Sequence, residues 1–189
     1  MELNNDFEVS APIEKVWEVI NDVELIAPCL PGAQLEEVGD DEYKGFVKVK
    51  VGPITAQYKG VAKFVEKDDS NHRVVIRGEG RDTRGAGNAA ADITASLEST
   101  EEGTRVNVVT DLKITGKVAQ FGRGVMADIS KKLMSQFADN LSELVLSEGG
   151  ESQDSQSEDS EAIDLLSVAG SSIGKKLVPE WIRNRQKKT

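Results

Sequence analysis

Apolar and polar residues alternate in one run after another between residues 42 and 115. The run "EYKGFVKVKV" (42–51) puts Val47, Val49 and Val51 on one side of an extended chain and Lys48 and Lys50 on the other. The pattern continues in "ITAQYKGVAKFVEK" (54–67), "HRVVIRGEG" (72–80), "NAAADITASLES" (88–99) and "TRVNVVTDLKIT" (104–115). Short period-two runs joined by turn-like links predict an antiparallel meander with one buried face and one face in water.

Helical patterns flank this meander on both sides. After a strand-like segment at 3–10, Val16, Trp17 and Ile20 recur at helical spacing, and Ser10 is the predicted capping residue. In 116–146 the apolar residues recur every three to four positions, at Val125, Ile129, Leu133, Phe137, Leu141 and Leu144. A helix of that length spans about 45 Å and can cross a whole sheet. The expected fold class is α+β, with the dry face of the sheet buried on the long C-terminal helix.

The predicted dry faces are unusually rich in small residues. They include Ala56, Gly60, Ala62, Gly78, Gly80, Ala91 and Ala95, and the long helix begins with Gly116, Ala119, Gly122 and Gly124. Small side chains on both opposed surfaces have two explanations. Either the helix packs unusually close to the sheet, or the two enclose an apolar cavity of the kind that binds small molecules.

Three longer segments carry a family resemblance. They are "CLPGAQLEEVGDDEYKGFVKVKVGPITAQYKGVAKF", "GEGRDTRGAGNAAADITASL" and "GKVAQFGRGVMADISKKLMSQFADNL". Together they resemble the carbon monoxide dehydrogenase G-subunit family, within the SRPBCC or START-like superfamily, over about residues 1–147. The resemblance implies a helix-grip fold, in which a curved antiparallel sheet and a long C-terminal helix enclose an apolar cavity. It also implies a role in recruiting carbon monoxide dehydrogenase, or a related molybdenum hydroxylase, to the cytoplasmic membrane.

The inward-facing positions then give a set of expected ligand-binding residues. On the strands these are Val49, Val51, Tyr58, Gly60, Ala62, Ile76, Gly78, Ile93 and Leu112. On the helical segment they are Phe121, Gly122, Val125, Met126 and Ile129. Tyr58 either orients a ligand through its hydroxyl group or packs as an ordinary core tyrosine.

Residues for catalysis or metal binding are scarce. His72 is the only histidine, and we expect it on the surface at the start of a strand. Cys29 is the only cysteine, and we expect a small buried apolar residue there. The glycine-rich "GEGRDTRGAG" lacks the lysine and helix of a phosphate-binding loop, so a turn is the better interpretation. We therefore expect a binding protein without a catalytic site, metal or required cofactor.

Charge divides the chain into three parts. Residues 148–161 carry six acids and no base, and 162–189 carry six bases and two acids. The formal charge is thus −6 for the first segment, +4 for the second and −8 for residues 1–147, out of −10 overall. We expect a START-like domain over 1–147, a disordered acidic linker over 148–161 and a basic amphipathic tail over 162–189. The acidic body argues against a nucleic-acid partner.

The tail combines apolar residues at approximately helical intervals with tryptophan and flanking bases. This mixture is typical of a helix that lies in a membrane interface. The expected membrane-binding residues are Lys175, Lys176, Leu177, Trp181, Ile182, Arg183 and Arg185. Docking into a protein groove, and folding back onto the acidic linker, are the other possibilities.

These patterns, together with what the family resemblance implies, lead to one functional hypothesis with two alternatives. The hypothesis is a non-catalytic adaptor at the inner face of the cytoplasmic membrane, whose cavity holds a respiratory quinone or a similar isoprenoid lipid. The first 15 residues lack the apolar stretch of a secretory signal, which favours a cytoplasmic protein. The alternatives are a cyclase-like enzyme acting on a hydrophobic small molecule and a general lipid carrier.

Overall fold

The structure of the protein, a computed structural model, describes residues 1–40, 42–147 and 163–164. The helices are α1 (Ile13–Ile20), α2 (Val23–Ile26) and α3 (Gly122–Ser147). The strands are β1 (Glu2–Val9), β2 (Ala33–Val38), β3 (Tyr43–Val51), β4 (Ile54–Asp68), β5 (Arg73–Asp82), β6 (Asn88–Ser99), β7 (Thr104–Ile114) and β8 (Ile163–Asp164). Two 3-10 turns, Ala27–Cys29 and Val118–Phe121, follow α2 and precede α3. The predicted α+β class is confirmed.

Seven strands form one antiparallel sheet in the order β1-β7-β6-β5-β4-β3-β2. Strands β2 to β7 are joined in sequence, as the short turn-like links predicted, and β1 adds to the far edge beside β7. β8 pairs in parallel with β3, where Val49 and Lys50 lie opposite Ile163 and Asp164. Because β2 pairs with β3 only as far as Val47, these residues lie where the β3 edge extends past β2.

A line of glycines crosses the middle of the sheet. Gly45 lies opposite Gly60, and Gly60 lies opposite Gly80. A Cβ atom on Gly60 would overlap the carbonyl oxygen of Glu79, and one on Gly45 would overlap that of Gln34. Neighbouring backbones therefore approach too closely on this side for any side chain, which is how glycine kinks allow a sheet to curve. A bulge at Phe64–Glu66 adds to the bend of β4.

The core consists of two clusters of buried side chains. The large cluster joins α1, the C-terminal half of α3 and the strands, with fully buried Val16, Val74, Val106, Leu141 and Val145. The small cluster joins the N-terminal half of α3 to the β3–β4 hairpin through Val51, Ala56, Val118, Met126 and Ile129. The helical stripe predicted in the C-terminal region thus packs against the sheet.

Two local expectations are wrong, and one strand was not predicted. Ser10 does not cap α1, because Pro12 occupies the N-cap position without any side-chain hydrogen bond. The long helix begins at Gly122 and not at 116, since Gly116 has a φ of 86° and the φ of 75° at Gly122 separates the preceding 3-10 turn, Val118–Phe121, from the helix. β2 was not predicted, because its alternation lasts only four residues before the two adjacent glutamates, where a bulge interrupts its pairing with β3.

Candidate ligand-binding site

The register of the strands brings the predicted strand residues onto one face of the sheet. Residues directly opposite each other in an antiparallel pair lie on the same face. Val49 pairs with Ala56, Ala62 with Gly78, Gly78 with Ala91, and Ala91 with Leu112. Ile76 pairs with Ile93 on this same face. Asn5, also inward, donates a hydrogen bond to Ser130 Oγ of α3 at 2.8 Å, which identifies this concave face as the one beneath the long helix.

Two rows of small residues separate the two core clusters on the concave face. One row is Ala62, Gly78 and Ala91, and the adjacent row is Gly60, Gly80 and Ala89, each paired across β4, β5 and β6. All six residues are half-buried, whereas the clusters on either side contain fully buried side chains. The centre of the concave face is therefore less completely covered than its two ends.

Gly78 marks open space in this central region. A Cβ atom placed on Gly78 would meet no atom within 4 Å. Gly60 differs, because its missing side chain leaves room for the backbone of β5 and not for a ligand. The sequence grouped these two glycines together, and the structure assigns them different roles.

The position of α3 is consistent with this space. Among the strands, α3 lies closest to β1, at the edge of the sheet, and it makes few close approaches to β4 and β5. The Asn5–Ser130 hydrogen bond holds it at the β1 side. Leu133 of α3 packs against the small cluster and Met134 against the large one.

Tyr58 is the polar aromatic residue at the edge of the small cluster. It is half-buried on the concave face, opposite Asp82 on β5 and Val47 on β3. Burial raises the pKa of the Tyr58 phenol, and the negative charge of Asp82 raises it further. Tyr58 therefore stays protonated at neutral pH and can donate a hydrogen bond. The Asp82 carboxylate accepts a hydrogen bond from the backbone N–H of Arg84 at 2.7 Å.

Gln136 is a polar residue that the sequence analysis missed. Its Oε1 atom is buried and has no hydrogen-bond partner in the described structure. Gln136 lies on α3 two turns after Ile129 and one turn before Asn140, whose Nδ2 donates to the Cys29 carbonyl oxygen at 2.9 Å. An unsatisfied buried amide oxygen costs about 1–3 kcal/mol, so it is a natural partner for a ligand or water. Its position within the apolar stripe of the helix was the available signal.

The predicted helical residues lie at the same end of the site as Tyr58. Met126 and Ile129 are buried in the small cluster, and Phe121 and Val125 pack against it. Val51 is buried there too, with Val49 and Leu112 at its border. Ile76 and Ile93 instead border the large cluster. Gly122 is exposed, and a Cβ atom on it would meet nothing within 4 Å.

A separate cleft of about 460 Å³ lies at the C-terminal end of α3. It is lined by Glu24, Leu25, Pro28, Cys29, Asn140, Glu143, Leu144 and Ser147, none of which was predicted to bind a ligand. Cys29 is buried as expected, and burial raises the pKa of its thiol to about 11. Because the thiol stays protonated at neutral pH, it is a poor nucleophile.

His72 holds a structural position. It follows the β4–β5 turn with a φ of 46°, and its ring packs edge-on against Trp17 of α1 with the ring centroids 5.4 Å apart. Trp17 Nε1 donates a hydrogen bond to Asp69 Oδ1 at 2.9 Å. The sequence analysis expected His72 on the surface, but its side chain is half-buried. The contacts of His72 and Asp69 with Trp17 attach α1 to the turn.

The expected membrane-binding residues, from Lys175 to Arg185, lie outside the described residues. So does the acidic linker, and of the expected tail only Ile163 and Asp164 are described. Those two residues are extended against β3 and not helical. Among the described helices, none is both long and apolar enough to cross a membrane.

Comparison with known proteins identifies the family. The sequence profile of the carbon monoxide dehydrogenase G subunit, CoxG, matches residues 6–146, which is most of the chain. The chain belongs to the CoxG family. The resemblance noted from the sequence segments is thereby confirmed, and the match ends where α3 ends. A comparison with curated proteins gives no significant match.

Solved structures place this CoxG family member in the helix-grip fold. A conserved protein from Geobacillus kaustophilus is 21% identical with a TM-score of 0.68, covering 77% of this chain and 95% of its own. A protein from Thermus thermophilus is 17% identical with a TM-score of 0.58, covering 79% and 100%. Norcoclaurine synthase from Thalictrum flavum is 21% identical with a TM-score of 0.56, covering 79% and 96%. At these identities the likeness establishes the START-like fold alone.

Proposed function

We propose that the protein is a non-catalytic adaptor that binds a hydrophobic ligand between the sheet and α3. In this proposal it recruits a carbon monoxide dehydrogenase-like molybdenum hydroxylase to the inner face of the cytoplasmic membrane. The observation that carries the ligand-binding part is the open space at Gly78, between two core clusters that are otherwise well packed. The enzyme partner is supported by the name of the family to which residues 6–146 belong.

The lining favours a mostly apolar ligand with one or two carbonyl groups. Val49, Leu112 and Val125 offer hydrophobic contact at the small cluster. The protonated Tyr58 hydroxyl can donate to a carbonyl oxygen, and the proposal assigns the unsatisfied Gln136 amide on α3 as a second polar contact. A respiratory quinone or a related isoprenoid lipid has this chemistry, and it would suit a partner enzyme that passes electrons to the respiratory chain.

Filling the open space tests the ligand site. We expect organic extraction of the purified full-length protein, followed by mass spectrometry, to release a quinone or isoprenoid lipid. Gly78→Val should abolish or greatly reduce this yield, because its side chain enters the central space. Ala90→Val is the matched control, since Ala90 lies on the neighbouring strand and faces outward opposite Glu79.

Two results would argue against the ligand site. One is that wild-type protein, purified from cells whose membranes contain quinone, consistently yields no lipid on extraction. The other is a Gly78→Val protein that retains as much ligand as Ala90→Val. A turnover of the extracted ligand that depends on Tyr58 would instead favour an enzyme acting on a hydrophobic small molecule.

The membrane part of the proposal rests on the residues Lys175, Lys176, Leu177, Trp181, Ile182, Arg183 and Arg185. We expect full-length protein to co-sediment with vesicles that contain phosphatidylglycerol, and to release at high salt. Trp181→Ala combined with Lys175→Gln and Arg183→Gln should weaken this binding. Lys15→Gln with Lys117→Gln and Lys131→Gln serves as the control, and equal loss in both variants would refute the assignment.

The partner part is tested by co-purification. We expect a tagged full-length protein to retain a molybdenum hydroxylase from a membrane extract of its own cells, identified by its molybdenum content and activity. Lipid recovery without any hydroxylase would favour a general lipid carrier. Recovery of the hydroxylase without lipid would support the adaptor role and argue against a bound ligand.

A further inference from the structure

The convex face of β3, β4 and β5 carries a concentration of positive charge. Twelve residues point outward from the adjoining parts of these strands, and only Glu79 among them is acidic. The seven bases, which we name the basic strip, are Lys44, Lys48, Lys50, Lys59, Lys63, Arg77 and Arg81. This concentration is unexpected in a protein with a net charge of −10.

The register places like charges directly opposite each other within the strip. Lys59 lies opposite Arg81, and Lys63 lies opposite Arg77. Like charges at such positions destabilise a sheet, so the fold gains nothing from this arrangement by itself. A source of negative charge above the strip would offset this repulsion.

Neighbouring carboxylates supply only part of that charge. Lys44 pairs with Glu37 and Lys59 with Glu36, each at 2.8 Å, and Arg77 pairs with Asp92 at 2.6 Å. Within the described residues, Lys48, Lys63 and Arg81 have no ion-pair partner. The positive charge on the strip thus exceeds what the described parts of the sheet neutralise.

The chain itself returns to this strip after its most acidic segment. Residues 148–161 carry six acids and no base. Two residues later, Ile163 and Asp164 pair in parallel with Val49 and Lys50 on β3, the strand that carries three bases of the strip. The acidic segment is therefore attached at its far end to the edge of the basic surface. Its near end follows Ser147 of α3, and a fully extended chain of this length reaches about 50 Å.

We propose that the acidic segment 148–161 docks on the basic strip, with the β3–β8 pairing as its anchor. Docking places up to six carboxylates beside the unpaired bases and offsets the like-charge pairs of β4 and β5. The strip is then an intramolecular binding surface, and any anionic partner must displace the segment to reach it. This inference does not depend on the function proposed above.

A spin label on the acidic segment tests the contact in the full-length chain. The label is attached at Ser155→Cys, and the wild-type protein treated in the same way controls for Cys29, which is 4% exposed. In ~0.01 M salt, where the Debye length is about 30 Å, we expect several-fold weaker amide signals at Lys48, Lys63 and Arg81 than at Lys131 of α3. In ~1 M salt, where it is about 3 Å, the difference should disappear.

Charge reversal identifies the strip as the docking surface. Lys63→Glu with Arg81→Glu should restore the strip signals in low salt. Because each new glutamate lies opposite a base, these changes create complementary cross-strand pairs and should leave the sheet folded. Lys117→Glu with Lys131→Glu makes the same change in net charge away from the strip, and the signal loss at the strip should persist.

The remaining outcomes decide against the proposal. Equal attenuation at the strip and at Lys131, or attenuation that survives Lys63→Glu with Arg81→Glu, would overturn it. If the double variant fails to fold, neutralising all six acids of 148–161 in the full chain tests the same contact. This change should also restore the strip signals in low salt. A strip that shows no contact with the segment but loses affinity for phosphatidylglycerol vesicles in the double variant would be a lipid surface instead.

Discussion

At the scale of single residues, glycine has two opposite meanings in this sheet. Gly60 lacks a side chain because the β5 backbone occupies the space, whereas Gly78 lacks one beside an open region. Both follow the same alternation in the sequence, so a count of small residues could suggest the cavity but could not separate the two roles. The separation depends on strand register and local curvature, which come from long-range pairing.

The two glycines should therefore respond differently to the same substitution. Gly60→Ala forces the β4 and β5 backbones apart, and we expect it to lower the free energy of unfolding by about 1–3 kcal/mol. Gly78→Ala meets no atom and reduces the freedom of the unfolded chain, so it should be neutral or stabilising by about 0.4–1 kcal/mol. Urea denaturation of both variants measures this difference. Equal destabilisation would mean that the space at Gly78 is filled.

At the scale of elements, the sequence predicted the strands and the helix that have a periodic apolar pattern. It missed the features that depend on pairing or on backbone conformation. β3 to β7 and the apolar stripe of α3 follow directly from alternation and helical spacing. β2 has two adjacent glutamates and a bulge, so its alternation is too short to predict a strand, and its pairing with β3 is visible only in the structure. The start of α3 was placed too early because the sequence does not reveal the positive φ of Gly122.

The attachment of α1 to the β4–β5 turn makes a prediction about acid sensitivity. The hydrogen bond from Trp17 lowers the pKa of Asp69, and Lys67 lowers it further. A carboxyl group with a lower pKa in the folded state stabilises the fold above its unfolded pKa, near 3.8, and this contribution is lost as the pH falls.

Trp17→Phe should therefore flatten this part of the pH profile. The variant keeps an aromatic ring in the core but cannot donate to Asp69, so its unfolding free energy should fall less steeply below pH ~4 than that of the wild type. Denaturant titrations across acidic pH provide the measurement, and Asp69→Asn should give a similarly flattened profile. An unchanged slope in Trp17→Phe would show that the hydrogen bond does not form in solution.

At the scale of the whole molecule, one sheet connects two separate core clusters. β4 and β7 each contribute to the clusters or their borders at both ends, and β5 and β6 connect them through the ladder. A continuous hydrogen-bonded sheet should therefore unfold as one cooperative unit, even though its centre is incompletely covered.

Leu141→Ala tests this cooperativity. Leu141 is fully buried in the large cluster, and its truncation should lower the free energy of unfolding by about 2–5 kcal/mol. If the molecule is one unit, hydrogen exchange of the slowest amides should accelerate equally at Val106 in the large cluster and at Val49 beside the small one. Acceleration confined to Val106 would indicate two independently unfolding halves.

The glycine line of the sheet has a consequence for how a ligand would be recognised. Gly45 and Gly60 let neighbouring strands approach through their backbones alone, because a Cβ atom on either would overlap a carbonyl oxygen of the adjacent strand. The curvature of the concave face is thus a property of the backbone and does not require a bound ligand. The curvature of the sheet and the side chains that would contact a ligand therefore depend on different residues, so a substitution on the concave face can change the ligand preference without removing the curvature.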